Sequence, residues 1–368
     1  SSPAMALQIA IVGLPNVGKS TLFNALTKSH TAMAANYPFC TIDPNVGVVE
    51  VPDYRLAELA KLVSPDKIVP AIVEFVDVAG LVKGASRGEG LGNQFLSHIR
   101  ECQAVAQVLR VFEDKDVTHV HDSVDAKRDR EIIESELILA DLQTLEKRML
   151  KSAGEARSGD KIKKAYHELL ERIKPALESG KLAINLELTD EEKEMLRDLH
   201  LITLKPVIYI ANVHENELKN INIEEIKKKM ELPSSAVIIP ICAKVESELI
   251  GFSDDEATDF LKEFGLKESG LAQLIRKAYE ILGLQTYFTA GKMEVKAWTI
   301  HKGDSAPKAA GVIHTDFEKG FIKAEVISYE DFVSAGGEQK AKEKGLLRLE
   351  GKEYVVKDGD VMHFKFAN

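Results

Sequence analysis

Apolar and polar positions along this chain change period three times. Four short apolar runs, Leu7–Val12, Val46–Val51, Ile72–Asp77 and Ala104–Phe112, are rich in β-branched residues, with polar or amphipathic segments between them. Runs of this length and type predict strands buried on both faces, as in a parallel sheet. Between the first two, Leu22, Phe23 and Leu26 share one face of a helix predicted over Thr21–Thr27, and Gln94–Arg100 reads as another helix. From about Val124 the period becomes helical. Ile132, Leu137, Ala140, Leu145 and Met149 recur at helical spacing within Glu131–Lys151, and Gly154–Gly159 reads as a turn. Lys161–Leu177 repeats the pattern through Ile162, Tyr166, Leu169, Leu170, Ile173 and Leu177. Two amphipathic helices joined by a polar tip predict an αα-hairpin or short coiled coil. Thr189-Asp-Glu-Glu192 has the form of a capping box opening a third helix.

Alternation resumes with strands expected over Pro206–Asn212 and Ala236–Ala243 and a helix over Leu271–Leu282. Leu284–Gly291 reads as a boundary. Beyond it, Val295–Ile300, Phe321–Ile327, Tyr354–Val356 and Val361–Phe366 predict strands, with a short helix over Tyr329–Ala335 and a Lys-rich segment at Lys340, Lys342 and Lys344. The pattern therefore predicts an α/β domain in two pieces, 5–123 and 205–283. A helical insert, 124–204, interrupts it, and a small α+β domain with a mixed sheet, 284–368, follows. The mixed charge of the insert reads as a solvated face.

Composition narrows the class. The 368 residues are 45% hydrophobic and 29% charged, as in a soluble globular protein of two or three domains. No apolar run approaches the roughly 20 residues of a membrane span, and no secretory signal is visible. Ser1-Ser-Pro-Ala before Met5 reads as a remnant of cloning. Cys40, Cys102 and Cys242 are far apart and lack metal-ligand spacing, which fits reduced cytosolic thiols. A net charge of −10 argues against a protein that coats nucleic acid generally.

The candidate chemistry begins at Gly13-Leu-Pro-Asn-Val-Gly-Lys-Ser20, which matches G-x-x-x-x-G-K-[ST] between an apolar strand and a helix. That order wraps backbone N–H groups around a phosphate and sets a helix N-terminus behind it. Asn16, Val17, Gly18, Lys19, Ser20 and Thr21 are the expected cradle. Lys19 is expected to reach the β- and γ-phosphates and Ser20 to offer its hydroxyl to Mg²⁺. Thr41, 21 residues later in a polar loop, is placed to offer a second hydroxyl. Asp77-Val-Ala-Gly80 at the end of a strand suits a carboxylate that supports Mg²⁺. Leu81 and Val82 follow where Ras-like enzymes carry a water-positioning Gln. A leucine cannot orient water, so hydrolysis needs help from elsewhere. Lys83–Gly92 holds four glycines and reads as a switch segment. His119 and His121 lie in the polar loop after Phe112. Asn212-Val-His-Glu215 stands where guanine-specific enzymes carry Asn-Lys-x-Asp. Its longer acid and missing lysine favour adenine, read by backbone groups near Val213, with Asn212 and Glu215 beside the base.

With these motifs in place the chain resembles the YchF/Obg-like ATPases. The strings that carry the resemblance are Gly13–Thr21, Asn36–Thr41, Asp77–Ser86, Gly88–Phe95 and His314–Phe321, the last similar to a TGS domain. The resemblance implies a Ras-like, Obg-related P-loop fold with an inserted helical hairpin and a C-terminal β-grasp domain. It further implies a cytoplasmic, ribosome-associated ATPase using Mg²⁺, with RNA contact through the hairpin and TGS domain. By the same resemblance His119 matches the catalytic histidine best by spacing, His121 staying open, and Asn16 matches an asparagine that helps bind K⁺. Two other classes stay open: a GTP-specific switch, and a nucleotide-dependent scaffold with negligible turnover.

Overall fold

The computed structural model describes residues 7–37, 43–78, 91–112 and 125–367. Thr41, the 79–90 segment with Leu81, and the loop with His119 and His121 lie outside the described residues. Among those described, twelve strands form two sheets. They are β1 (Gln8–Val12), β2 (Val46–Glu50), β3 (Lys67–Val69), β4 (Ile72–Asp77), β5 (Ala104–Arg110), β6 (Val207–Asn212), β7 (Val237–Ile241), β8 (Leu284–Ala290), β9 (Glu294–His301), β10 (Phe321–Ile327), β11 (Arg348–Glu350) and β12 (Val361–Phe366).

The first sheet runs β2-β4-β1-β5-β6-β7, parallel except for β2 on its edge. Every residue of β5 is buried, which is why its run carries so few polar positions. The registers Ile11↔Asp77, Arg110↔Asn212 and Asn212↔Ile241 bring Asp77, Arg110 and Asn212 to the carboxyl edge of the sheet. In an open α/β sheet that edge is where ligands bind.

The helical block is anchored rather than loosely attached. Helix Ala126–Ala156 is longer than its predicted core and packs on helix Lys161–Glu178 around Ile138, Leu145, Leu169, Leu170 and Ile173. At its base Glu134, Gln107, Tyr209 and Arg130 form a buried network, with Tyr209 Oη donating to Glu134 at 2.6 Å and Arg130 to Glu134 at 2.8 Å. Burial raises the Glu134 carboxyl, and the Arg130 charge opposes that rise. Two turns further on, Asp141 accepts Ile202 N, Thr203 N and Thr203 Oγ1 at 2.8, 2.8 and 2.6 Å. The capping box at Thr189 and Glu192 forms as expected.

The second sheet runs β11-β10-β12-β8-β9-β3, with hairpin β8–β9, helix Ala306–Ile313 across one face and a parallel β8/β12 pair at its centre, the β-grasp arrangement. Two features differ from the sequence expectations. Leu284–Ala290 is a strand of this sheet rather than a boundary, and 354–356 forms only an isolated bridge between Val355 and Ser305. The Tyr354 hydroxyl donates to Asp360 there, so the segment is held by its side chain instead of a ladder. β3, too short for a periodic signal, adds to β9 in parallel from the far side of the chain. Arg55 makes a second tie: it donates to Asp53 and Asp358 at 2.9 Å and lies 5.1 Å from the Phe288 ring centre. No described helix is long and apolar enough to cross a membrane.

Candidate nucleotide site

Between β1 and helix Lys19–Ser29 the backbone turns through Asn16 (φ +66°) and Gly18 (φ +98°). The left-handed region is open to Gly18 at no cost, and Asn tolerates it better than most residues. A Cβ on Gly18 would also collide with Nδ2 of Asn212. Glycine is therefore required twice over, by dihedral angle and by space.

That close approach comes from a lock. Asn212, 4% exposed, donates Nδ2 to the Val17 carbonyl at 2.9 Å and accepts Ala243 N–H on Oδ1 at 3.1 Å. One buried amide thus ties the phosphate loop to the turn after β7, with both halves of the side chain satisfied. Lys19 forms an ion pair with Asp77, whose carboxylate reaches it from the end of β4. Both sit on the floor of the same edge, the lysine at the helix start where the backbone N–H groups point outward.

A cavity of about 620 Å³ opens over this edge, lined by the loop from Gly13 to Thr21, by Arg110, Phe112 and Asn212, and by Ala243, Lys244, Ser247 and Glu248. Its size suits a mononucleotide. A larger cleft of about 970 Å³ lies against β12 and helix Tyr329–Ala335, away from the phosphate loop. Arg110 is 2% exposed; its Nε donates to the Phe112 carbonyl at 3.0 Å and its guanidinium stands 5.0 Å from the Phe112 ring centre. The sequence pattern gave no sign of Arg110, Phe112 or Lys244. The only available cue was position, at the ends of β5 and β7, and position means nothing until the strand order is known.

The base motif is split by the fold. Asn212 faces the cavity, whereas Val213 and Glu215 are not among its described lining residues. Val213 is 2% exposed and its N–H donates to the Ile241 carbonyl at 2.9 Å. Glu215 pairs with Lys244 at 2.9 Å, and that hydrogen bond raises the lysine's pKa. Asn16, Ser20 and Thr21 are exposed along the loop.

The chain covers 98% of itself and all of the ribosome-binding ATPase YchF of Bacillus subtilis at 54% identity. The chain belongs to the YchF family. It is also 52% identical to the ribosome-binding ATPase YchF of Escherichia coli O157:H7, over 98% of this chain and 99% of that one. Among solved structures, the YchF GTPase of Schizosaccharomyces pombe superposes with a TM-score of 0.88 at 40% identity, covering 99% of both chains. A GTP-binding protein from Pyrococcus horikoshii, 22% identical with a TM-score of 0.59, shares the fold alone. Residues 8–141 match the family model described as 50S ribosome-binding GTPase, and residues 284–367 match the YchF-GTPase C-terminal model, described as a protein of unknown function. The family is therefore shown along the whole chain, with an α/β P-loop fold, while the names of its relatives divide between ATPase and GTPase.

Proposed function

We propose that this chain is a ribosome-associated P-loop ATPase that takes ATP in preference to GTP and releases ADP and phosphate, acting as a regulatory switch in translation. The observation that carries this reading is the Asn212 lock beside the Lys19–Asp77 pair, in a chain about half identical to proteins named ribosome-binding ATPases. A phosphate chain arriving over Gly18 meets preformed N–H donors and the Lys19 ammonium. The base preference rests on the Asn212-Val-His-Glu215 motif, whose last residue is already engaged. Glu215 Oε1 is paired to Lys244, which competes with guanine N1–H and N2–H for that carboxylate.

Ser20 and Asp77 offer hard oxygens of the kind Mg²⁺ takes, and Thr41 would add a third. The described residues hold no cluster of three or more His, Cys, Asp or Glu that could cage a metal alone. That fits an ion held mainly by phosphate and water, which Mg²⁺ prefers, and whose chemistry is to neutralise charge on the phosphates. Asn16, exposed at a left-handed position, is the group we assign to K⁺. With Leu81 unable to orient water, His119 (or His121) takes that role, so turnover without a partner is slow.

We read the chain as three modules: 5–123 with 205–283 for nucleotide, 124–204 as the hairpin, and 284–368 as the TGS domain. The hairpin tip carries Lys151, Lys161, Lys163 and Lys164, together with Leu150 and Ile162, which are 84% and 76% exposed. This supports a ribosomal contact that includes RNA, in a protein of the cytoplasm. The test is hydrolysis of ATP and of GTP, with and without ribosomes, in K⁺ and in Na⁺. Ribosome-stimulated ATP turnover that is lost in His119→Ala, with ATP affinity retained, is the expected result. Equal use of GTP would refute the base assignment, and ribosome-independent negligible turnover would leave a binding scaffold instead of an enzyme.

A further inference from the structure

The two sheets are joined where the nucleotide edge begins. β3 lies in the second sheet, pairing Lys67↔Glu294, Ile68↔Val295 and Val69↔Lys296 with β9. β4 lies in the first sheet and ends at Asp77. Only Pro70 and Ala71 separate the two strands, so Val69 and Ile72 lie at most about 11 Å apart even when fully extended. Neither residue has slack. The Ala71 carbonyl accepts Val51 N–H at 2.8 Å, and the Pro70 carbonyl accepts the Tyr37 hydroxyl at 2.6 Å. Tyr37 is 7% exposed and packs with Ala32 and Val69 against Val48 and Ile72. At its other end β3 is held by Asp66 N–H donating to the Lys292 carbonyl at 2.9 Å.

Tyr37 also stands four residues before Thr41 in the sequence. Its hydroxyl holds Tyr37 itself against the joint that leads to Asp77. We propose that Tyr37 is a positioning residue that couples the nucleotide site to the second sheet, with Pro70-Ala71 as the joint through which a shift of β4 is passed to β3 and β9. This rests on the nucleotide reading above. A two-residue link pinned on both carbonyls cannot absorb a strand displacement by bending, so β9 must follow or the clamp must open. The Arg55 tie to Asp358 and Phe288 keeps the second sheet from swinging free, so the transmitted motion is confined to the β3–β9 edge.

The experiment is amide hydrogen exchange on the full chain at saturating nucleotide, with occupancy fixed separately by titration of ATP and GTP analogues. In the wild type, whichever nucleotide binds slows exchange over residues 294–298 at least about fivefold. In Tyr37→Phe the same occupancy slows it less than about twofold, while nucleotide affinity stays within about threefold and stimulated kcat falls with KM unchanged. Arg55→Gln is the control for general loosening of the second sheet and keeps the nucleotide response. A bound nucleotide that leaves 294–298 unchanged overturns the coupling. So does a full response in Tyr37→Phe, or loss of response in Arg55→Gln alone. Binding of GTP instead of ATP refutes the base preference and leaves this test intact.

Discussion

Asn212→Ala tests whether the phosphate loop is held in shape by a single side chain. The substitution removes two hydrogen bonds, Nδ2 to Val17 O at 2.9 Å and Ala243 N to Oδ1 at 3.1 Å, and strands both backbone partners at a site only 4% exposed. A buried polar group without a partner costs about 1–3 kcal/mol, so the pair sets an upper range of about 2–6 kcal/mol. The cavity over the loop admits water to part of this space, which places the effect near the low end, about 2 kcal/mol. If the loop must be ordered to bind, most of that energy reappears in affinity as a weakening of about 30-fold, at 1.4 kcal/mol per decade. Urea denaturation gives the stability change, and calorimetric titration with a non-hydrolysable ATP analogue gives the affinity. Loss of stability with an affinity within threefold of wild type would refute the reasoning, because the lock would then serve the fold and not the site.

Glu246, 3% exposed, accepts the Gly270 N–H at 2.7 Å, and burial pushes its carboxyl from 4.5 up to about 7. Its stabilising contribution is fully present below pH 4.5 and is lost as pH rises toward 7, because the folded chain keeps a proton that the unfolded chain sheds. The amplitude is about 1–3 kcal/mol, and Glu246→Gln should flatten that share of the profile when urea midpoints are compared at pH 5 and pH 8. An unchanged pH dependence in the variant would show that Glu246 does not titrate in this window. Asp141→Ala leaves Ile202 N, Thr203 N and Thr203 Oγ1 without their buried acceptor and should cost roughly 3 kcal/mol of stability by urea denaturation. A loss below 1 kcal/mol would mean that water replaces the carboxylate.

The parts of this protein legible from sequence alone were those set by local rules. A phosphate loop needs contiguous residues in a fixed order, so Gly13 to Ser20 announces itself without a fold. The hairpin helices and the capping box at Thr189 follow from three- and four-residue periodicity, which the helix obeys over many turns. Strand order carries no such local signal. Only the packed sheet brings Arg110, Asn212 and Ala243 to one cavity, Arg110 lying more than 100 residues before the other two, and only it turns Val213 and Glu215 toward other partners. The crossing of β3 into the second sheet is likewise a tertiary fact. Three residues are too few to show a period, and their pairing with β9 depends on a surface more than 200 residues away in the chain.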